Sequence, residues 1–174
     1  DIEIVYQTKK GYGDALIRGI GSLDGGLFCI FNADGSFNPN ELKKMYDKII
    51  SKNYDFVFAS RYEANSGSED DTFLTLLGNK IFTTLGNVLF SLNITDILYT
   101  YVIGKVGQYK KLNVKTQDFG FCVELPIMAK KNKMSLTTSP SYERKRIAGE
   151  KKVNEFRDGF LILFKMFKLI FRRK

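Results

Sequence analysis

An apolar run from Leu27 to Phe31 leads directly into Asn32-Ala33-Asp34-Gly35-Ser36. In an open α/β sheet, ligands sit outside the carboxyl ends of the strands, so a carboxylate here is placed to hold a divalent ion. Mg²⁺ and Mn²⁺ prefer oxygen ligands and commonly use one or two carboxylates, with water and substrate phosphates completing the shell. Asp34, helped by Asn32 or Ser36, is enough for that. The competing reading is a turn that uses Asp and Gly for their backbone freedom alone. Ser60-Arg61-Tyr62 ends another strand-like run on the same expected sheet edge, where a guanidinium suits phosphate oxygens. Arg146 to Lys152 adds cations on a Gly-containing loop able to close over a diphosphate. Lys10-Gly11-Tyr12-Gly13, before a short helical pattern, reads as a βα connection set by sterics rather than as a phosphate cradle.

Composition narrows the chemistry further. The 174 residues are 44% hydrophobic and 26% charged, which suits one globular domain with a substantial core and excludes intrinsic disorder. There is no His and there are only two Cys, so zinc fingers, HExxH sites and His-based triads are excluded. Carboxylates, hydroxyls, Arg, Lys and a hard metal remain. Cys29 and Cys122 each lie in an apolar stretch and read as buried, reduced thiols, implying a reducing cytoplasm.

The elements that must position these groups follow from pattern. Strand-like runs at 2–6, 27–31 and 54–60 alternate with helical patterns at 14–20 and 40–52, predicting an α/β fold with a mostly parallel sheet flanked by helices. Asn38 is the expected N-cap of the second helix, with Pro39 at its first position, Glu41 closing a capping box, and Met45, Ile49 and Ile50 on one face. A long helix over 72–92 reads as too polar to cross a membrane. Residues 96–104 read as extended, 119–131 as helical with a disturbance at Pro126, and 134–144 as extended again.

Charge is uneven. Residues 143–174 hold eleven Lys or Arg against four Asp or Glu, so this end carries nearly all of the net +8. From Val153 onward, Phe156, Phe160, Leu163, Phe164, Phe167, Ile170 and Phe171 recur at helical period with Arg157, Lys165, Lys168 and Arg172 between them, a basic amphipathic helix. Leu161, Ile162, Met166 and Leu169 widen its apolar face. It fits an anionic membrane surface, with packing of one face on the core as the competing account. The expected units are a domain over 1–152 and a membrane-proximal helix over 153–174.

In order along the chain, Asn32 to Ser36, Ala59-Ser60-Arg61-Tyr62, Gly78-Asn79, Thr95-Asp96 and Arg146 to Lys152 resemble family 2 glycosyltransferases, nearest the polyprenyl-phosphate sugar synthase branch of the dolichyl-phosphate mannose synthase type. The resemblance implies a GT-A fold, a nucleotide-sugar donor, Mg²⁺ or Mn²⁺, and a lipid-phosphate acceptor, with the protein peripheral on the cytoplasmic face of the cell membrane. It makes Asp34 the second acid of an Asp-x-Asp motif and a metal ligand, with Asn32 where the first acid usually stands. Arg61, Asn79, Arg146 and Lys152 become phosphate-binding residues, and Asp96 a matched acid. Ala59 replaces the motif's Gly, and Lys151 stands where Ser is usual. The family's Asn-Glu and Asp-Asp segments, which hold the nucleoside, have no counterpart. Ile2 to Tyr6 most resembles the third strand of that fold, so the sequence is expected to begin after the base and ribose site, and these residues alone are expected to bind donor weakly.

A lipid phosphate is already anionic and needs no general base. A polysaccharide or protein hydroxyl would need one, such as Asp96. An inactive membrane-associated remnant is a further alternative. A nucleic-acid module is disfavoured, because the cations gather on one apolar helix.

Overall fold

The computed structural model describes residues 2–149 and 154–172. Lys151, Lys152 and Val153, and with them part of the predicted basic loop, lie outside the described residues. The central strand β2 (Phe56–Ser60) is buried along its whole length. Period-two alternation sends Phe56 and Phe58 to one face and Val57 and Ala59 to the other. Each face therefore needs a cover. One is supplied by α2 (Leu42–Lys52) through Met45 and Ile49, the other by α1 (Tyr12–Gly21), α5 (Phe121–Lys131) and α6 (Glu155–Phe171). Full burial of side chains such as Phe56 and Phe58 contributes about 1.5–3 kcal/mol each.

The main sheet has four strands in the order β1-β4-β2-β5, with β1 at Leu27–Ile30, β4 at Val102–Lys105 and β5 at Leu136–Pro140. The fold is α/β with a helix-flanked sheet, as predicted. The sheet is not the mostly parallel one expected: β2 and β5 are parallel, but β4 runs antiparallel between β1 and β2, so two of the three pairings are antiparallel. The remaining elements are a two-stranded parallel sheet of β3 (Gly67–Ser68) with β6 (Tyr142–Glu143), the long α3 (Phe73–Phe90) and a single turn, α4 (Val106–Tyr109).

Ile2 to Tyr6 is not a strand. No sheet edge pairs with it, and Ile2, Ile4 and Tyr6 are exposed; β-rich composition favours extended backbone but does not supply a ladder partner. The segment is tied down only beyond it, where the Thr8 and Lys9 amides donate to Asp14. Asn38 caps as expected, accepting from the Asn40 amide at 3.1 Å, but one 3₁₀ turn (Pro39–Glu41) precedes α2, and Glu41 accepts from the Tyr142 amide instead of closing a capping box. The helix α5 runs uninterrupted through buried Pro126. Cys29 is also a correction: it faces outward from edge strand β1 and is exposed, while Cys122 is half-buried, and both are free.

The terminal helix divides its apolar residues between two faces. Ile162, Met166 and Leu169, which widened the predicted stripe, are the ones buried in the core, while Phe156, Phe160, Phe164 and Phe167 point outward. Buried Glu124 on α5 holds the helix in place: its carboxylate accepts from the Thr116 and Lys115 amides at 2.6 and 3.1 Å and pairs with Lys165 and Arg172. Lys131 donates to the carbonyls of Leu169, Ile170 and Arg172, answering unpaired acceptors at the helix end.

Candidate functional site

Asp34 sits in the turn after β1, where Gly35 has φ 82°. A Cβ at Gly35 would lie 2.6 Å from the Ile147 side chain, so the missing side chain is what lets the 144–149 loop close over the turn. The Ile147 amide donates to the Asp34 carbonyl at 2.8 Å, and the Arg144 amide to the Ser36 carbonyl at 2.9 Å. This closure brings Arg146, 112 positions later in the chain, to the carboxylate, with Nη1 3.9 Å from Asp34 Oδ2.

Asp34, Asn32, Arg61 and Arg146 line one crevice of about 430 Å³, shared with Tyr12, Thr100 and Phe119. A second cavity of about 240 Å³ lies between α3 and α6, walled by Leu74, Phe82, Phe156 and Ile162. Arg61, Leu98, Glu143 and Arg146 line both.

The two arginines are held very differently. Arg61 is buried, and its Nε and Nη2 donate to Asp96 at 2.8 and 3.1 Å. Its Nη1 donates to Asp71 at 3.1 Å and Glu143 at 3.0 Å, and its guanidinium lies 4.6 Å from the Tyr99 ring centroid. Among the described residues Arg146 makes one short bond, from Nη2 to Asp70 at 2.7 Å, and its buried Nε has no hydrogen-bond partner there. Burial works against the ionised Asp34, but the Ser36 hydroxyl and amide donate to Oδ1 at 2.7 and 3.0 Å and, with Arg146 nearby, hold the carboxyl below its ordinary value.

These placements revise several expectations. Ser36 is buried and its hydroxyl is engaged by Asp34 Oδ1, so it orients the carboxylate and does not face the crevice as a ligand. Asp96 lies off both cavity walls: fully buried, it accepts from Arg61 at both oxygens and from Asn79 Nδ2 at 2.5 Å. Its carboxylate is thus spent on holding Arg61 and Asn79 and is presented to neither cavity. Asn79 lines the α3–α6 cavity with its amide turned to Asp96 and the Tyr62 hydroxyl. Lys152 lies outside the described residues. Asp70, Asp71 and Glu143 were not singled out from sequence. The acidic run Glu69-Asp70-Asp71 was a visible signal, whereas Glu143 pairs with a residue 82 positions away.

A family model for glycosyl transferase family 2 matches residues 1–112. The chain belongs to this family. A curated relative, UDP-N-acetylglucosamine–dolichyl-phosphate N-acetylglucosaminyltransferase of Methanococcus voltae, is 25% identical over 144 residues, 80% of this chain and 57% of that protein. Among solved structures, glucosyl-3-phosphoglycerate synthase from Mycobacterium tuberculosis with Mn²⁺, UDP and phosphoglyceric acid superposes with TM-score 0.67 at 11% identity, over 97% of this chain and 57% of that one. A further crystal structure of the same synthase gives 0.66 at 11% identity over 93% and 56%. The family 2 domain described here thus has the GT-A fold, and it spans a little over half the length of the relatives it matches.

A divalent ion can be fitted to the crevice. Among the described residues no three His, Cys, Asp or Glu side chains cluster as a metal cage. Asp34 nonetheless lines the crevice with Asn32, and among the described residues its Oδ2 has no hydrogen bond or ion pair closer than Arg146 Nη1 at 3.9 Å. That donor set suits an ion that draws most of its ligands from water and bound phosphates.

Proposed function

We propose that the protein transfers a sugar from a nucleotide-sugar donor to a lipid-phosphate acceptor at an anionic membrane surface. The observation that carries this reading is the position of Arg146, which stands between the Asp34 crevice and the apolar slot of α3 and α6 and lines both. A buried guanidinium N–H without a partner leaves a desolvation cost of about 1–3 kcal/mol that a phosphate oxygen would remove.

In this mechanism Asp34 and Asn32 would hold Mg²⁺ or Mn²⁺, and the ion would supply positive charge to offset that on the departing nucleoside diphosphate. Arg146 bridges donor and acceptor phosphates and aligns them for attack at the anomeric carbon. Arg61 fixes the wall between the two cavities through Asp96, Asp71 and Glu143. Asp96 abstracts no proton, and an anionic acceptor requires none.

Membrane attachment is assigned to α3 and α6 together. The helix α3 has the length and apolar composition of a membrane-crossing helix, against the expectation that it is too polar. Its Asn79, Thr83 and Gly86 are nevertheless buried against the domain, which favours lying along a surface. Phe73, Leu77 and Ile81 are exposed on α3, as are Phe156, Phe160, Phe164 and Phe167 on α6. Beyond the first turn of α6 the only charges on either helix are cations: Lys80, Lys165 and Lys168. Lys165 is turned inward to Glu124, which leaves Lys80 and Lys168 to face an anionic surface, each worth about 1 kcal/mol there. The exposed free thiol of Cys29 suits a reducing compartment and favours the cytoplasmic side of the cell membrane.

The test is the full-length protein incubated with Mn²⁺, a panel of labelled sugar nucleotides and polyprenyl phosphate in anionic vesicles. Label should enter the lipid phase and chelator should abolish transfer. Label entering only soluble glycan or protein would overturn the acceptor assignment.

A further inference from the structure

The segment Lys10-Gly11-Tyr12-Gly13, which sequence reading treated as a connection, is a rigid mount for one side chain. A Cβ at Gly11 would lie 2.2 Å from the Gln117 carbonyl oxygen, and one at Gly13 the same distance from that of Thr116. The two glycines let the start of α1 press against the 116–118 backbone, where the Asp14 amide donates to the Gln117 carbonyl at 3.1 Å. Tyr12 is thereby held in the Asp34 crevice. Its ring stacks on Phe119 with centroids 5.2 Å apart and planes at 21°, and its hydroxyl lies 2.7 Å from the Thr100 hydroxyl.

Such a surface matches one part of a sugar nucleotide better than the others. Aromatic rings offer apolar area to the C–H faces of a pyranose. Two hydroxyls sharing one hydrogen bond still retain a donor and acceptor lone pairs between them, the mixed capacity that a sugar hydroxyl needs. Two sugar rings flank the diphosphate of a donor, the ribose and the transferred hexosyl group. The crevice adjoins the α3–α6 slot through Leu98, two residues before Thr100, and the group to be transferred is the one that must border the acceptor.

We propose that Tyr12, Thr100 and Phe119 form the subsite that reads the transferred sugar. This rests on the nucleotide-sugar reading above. Tyr12 and Phe119 border a C–H face of the hexosyl ring, and the Tyr12–Thr100 hydroxyl pair exchanges hydrogen bonds with one ring hydroxyl, so the site discriminates between epimers. A site that hydrogen-bonds a substrate hydroxyl rejects an analogue lacking it more strongly than an apolar pocket does.

The test uses the full-length protein and two oxygen-deleting variants, Tyr12→Phe and Thr100→Val, with UDP-glucose, UDP-galactose, UDP-N-acetylglucosamine and GDP-mannose as donors. Either variant should change the ratio of kcat/KM between two donors by about tenfold or more, while inhibition by the nucleoside diphosphate alone stays within about twofold. Unchanged ratios in both variants would overturn the subsite. So would a parallel loss of nucleoside diphosphate binding, which would mark the surface as a base or phosphate contact. Phe119→Leu, with its melting temperature recorded, serves as a third variant if an oxygen deletion fails to fold. Should the unaltered protein consume none of the donors, the transferase reading itself falls, an outcome distinct from unchanged ratios.

Discussion

Arg61 and Arg146 line the same two cavities, yet one is bound on every side and the other is barely held. The Arg61 side chain is 10% exposed and faces Asp96, Asp71 and Glu143, while that of Arg146 is 25% exposed with one short bond and an unpaired Nε. A guanidinium with every nitrogen bonded to a carboxylate builds the wall. One with donors in reserve is available to a ligand. Motif matching alone gives both the same role.

The contrast breaks most sharply by substitution. Arg61→Met should destabilise the fold by about 3–5 kcal/mol, because three carboxylates lose their shared cation, and denaturant unfolding measures this. Arg146→Ala should leave the unfolding midpoint nearly unchanged, since a partly exposed pair is worth about 0–1 kcal/mol. It should lower sugar transfer by about 100-fold or more, in the range seen when a group stabilising developing charge is removed. If the two variants exchange these outcomes, the assignment of scaffold and ligand contact is reversed.

Asp34 sharpens the same comparison from the metal side. Asp34→Asn should abolish Mn²⁺-dependent transfer while leaving the fold intact. Because the folded carboxyl sits below its ordinary value, near 3.9, Mn²⁺ retention measured by paramagnetic resonance should persist as pH falls to about 4 and decline only below that.

Glu124 gives a smaller, purely structural control. Burial opposes its ionisation, but hydrogen bonds from Thr116 and Lys115 and the charge of Lys165 outweigh that and lower its pKa. Its stabilising contribution is therefore complete above the ordinary glutamate value, about 4.3, and disappears as pH falls through the lower folded value. Glu124→Gln should cost about 1–3 kcal/mol at neutral pH, and the gap in melting temperature from the unaltered protein should close below about pH 4.

What the sequence made legible was local. The N-cap at Asn38, the alternation of elements over 14–60, the strand before Asp34 and the periodicity of the last helix all depend on neighbours a few residues apart, and all appear in the fold. The Arg61 network could not be read, because Asp96 and Glu143 lie 35 and 82 positions away and meet it only through tertiary packing. Tyr12 and Phe119 are likewise joined only by the packing of α1 on the 116–118 segment. Ile2 to Tyr6 failed in the opposite direction, having strand composition without an edge to join. The inward residues of α6 were visible as a surplus of apolar positions, but which face they served depended on Glu124.

Under the proposed membrane attachment, the division of α6 ties that attachment to folding. Ile162, Met166 and Leu169 close the interior while the phenylalanines behind them look outward, so the helix cannot be withdrawn without unroofing the domain. Any bilayer that grips those phenylalanines therefore acts as a stabilising ligand for the native chain, and unfolding temperature should climb with vesicle concentration. In lipid-free dilute buffer the same exposed phenylalanines are an adhesive side of the molecule, and concentration-dependent self-association is the expected outcome.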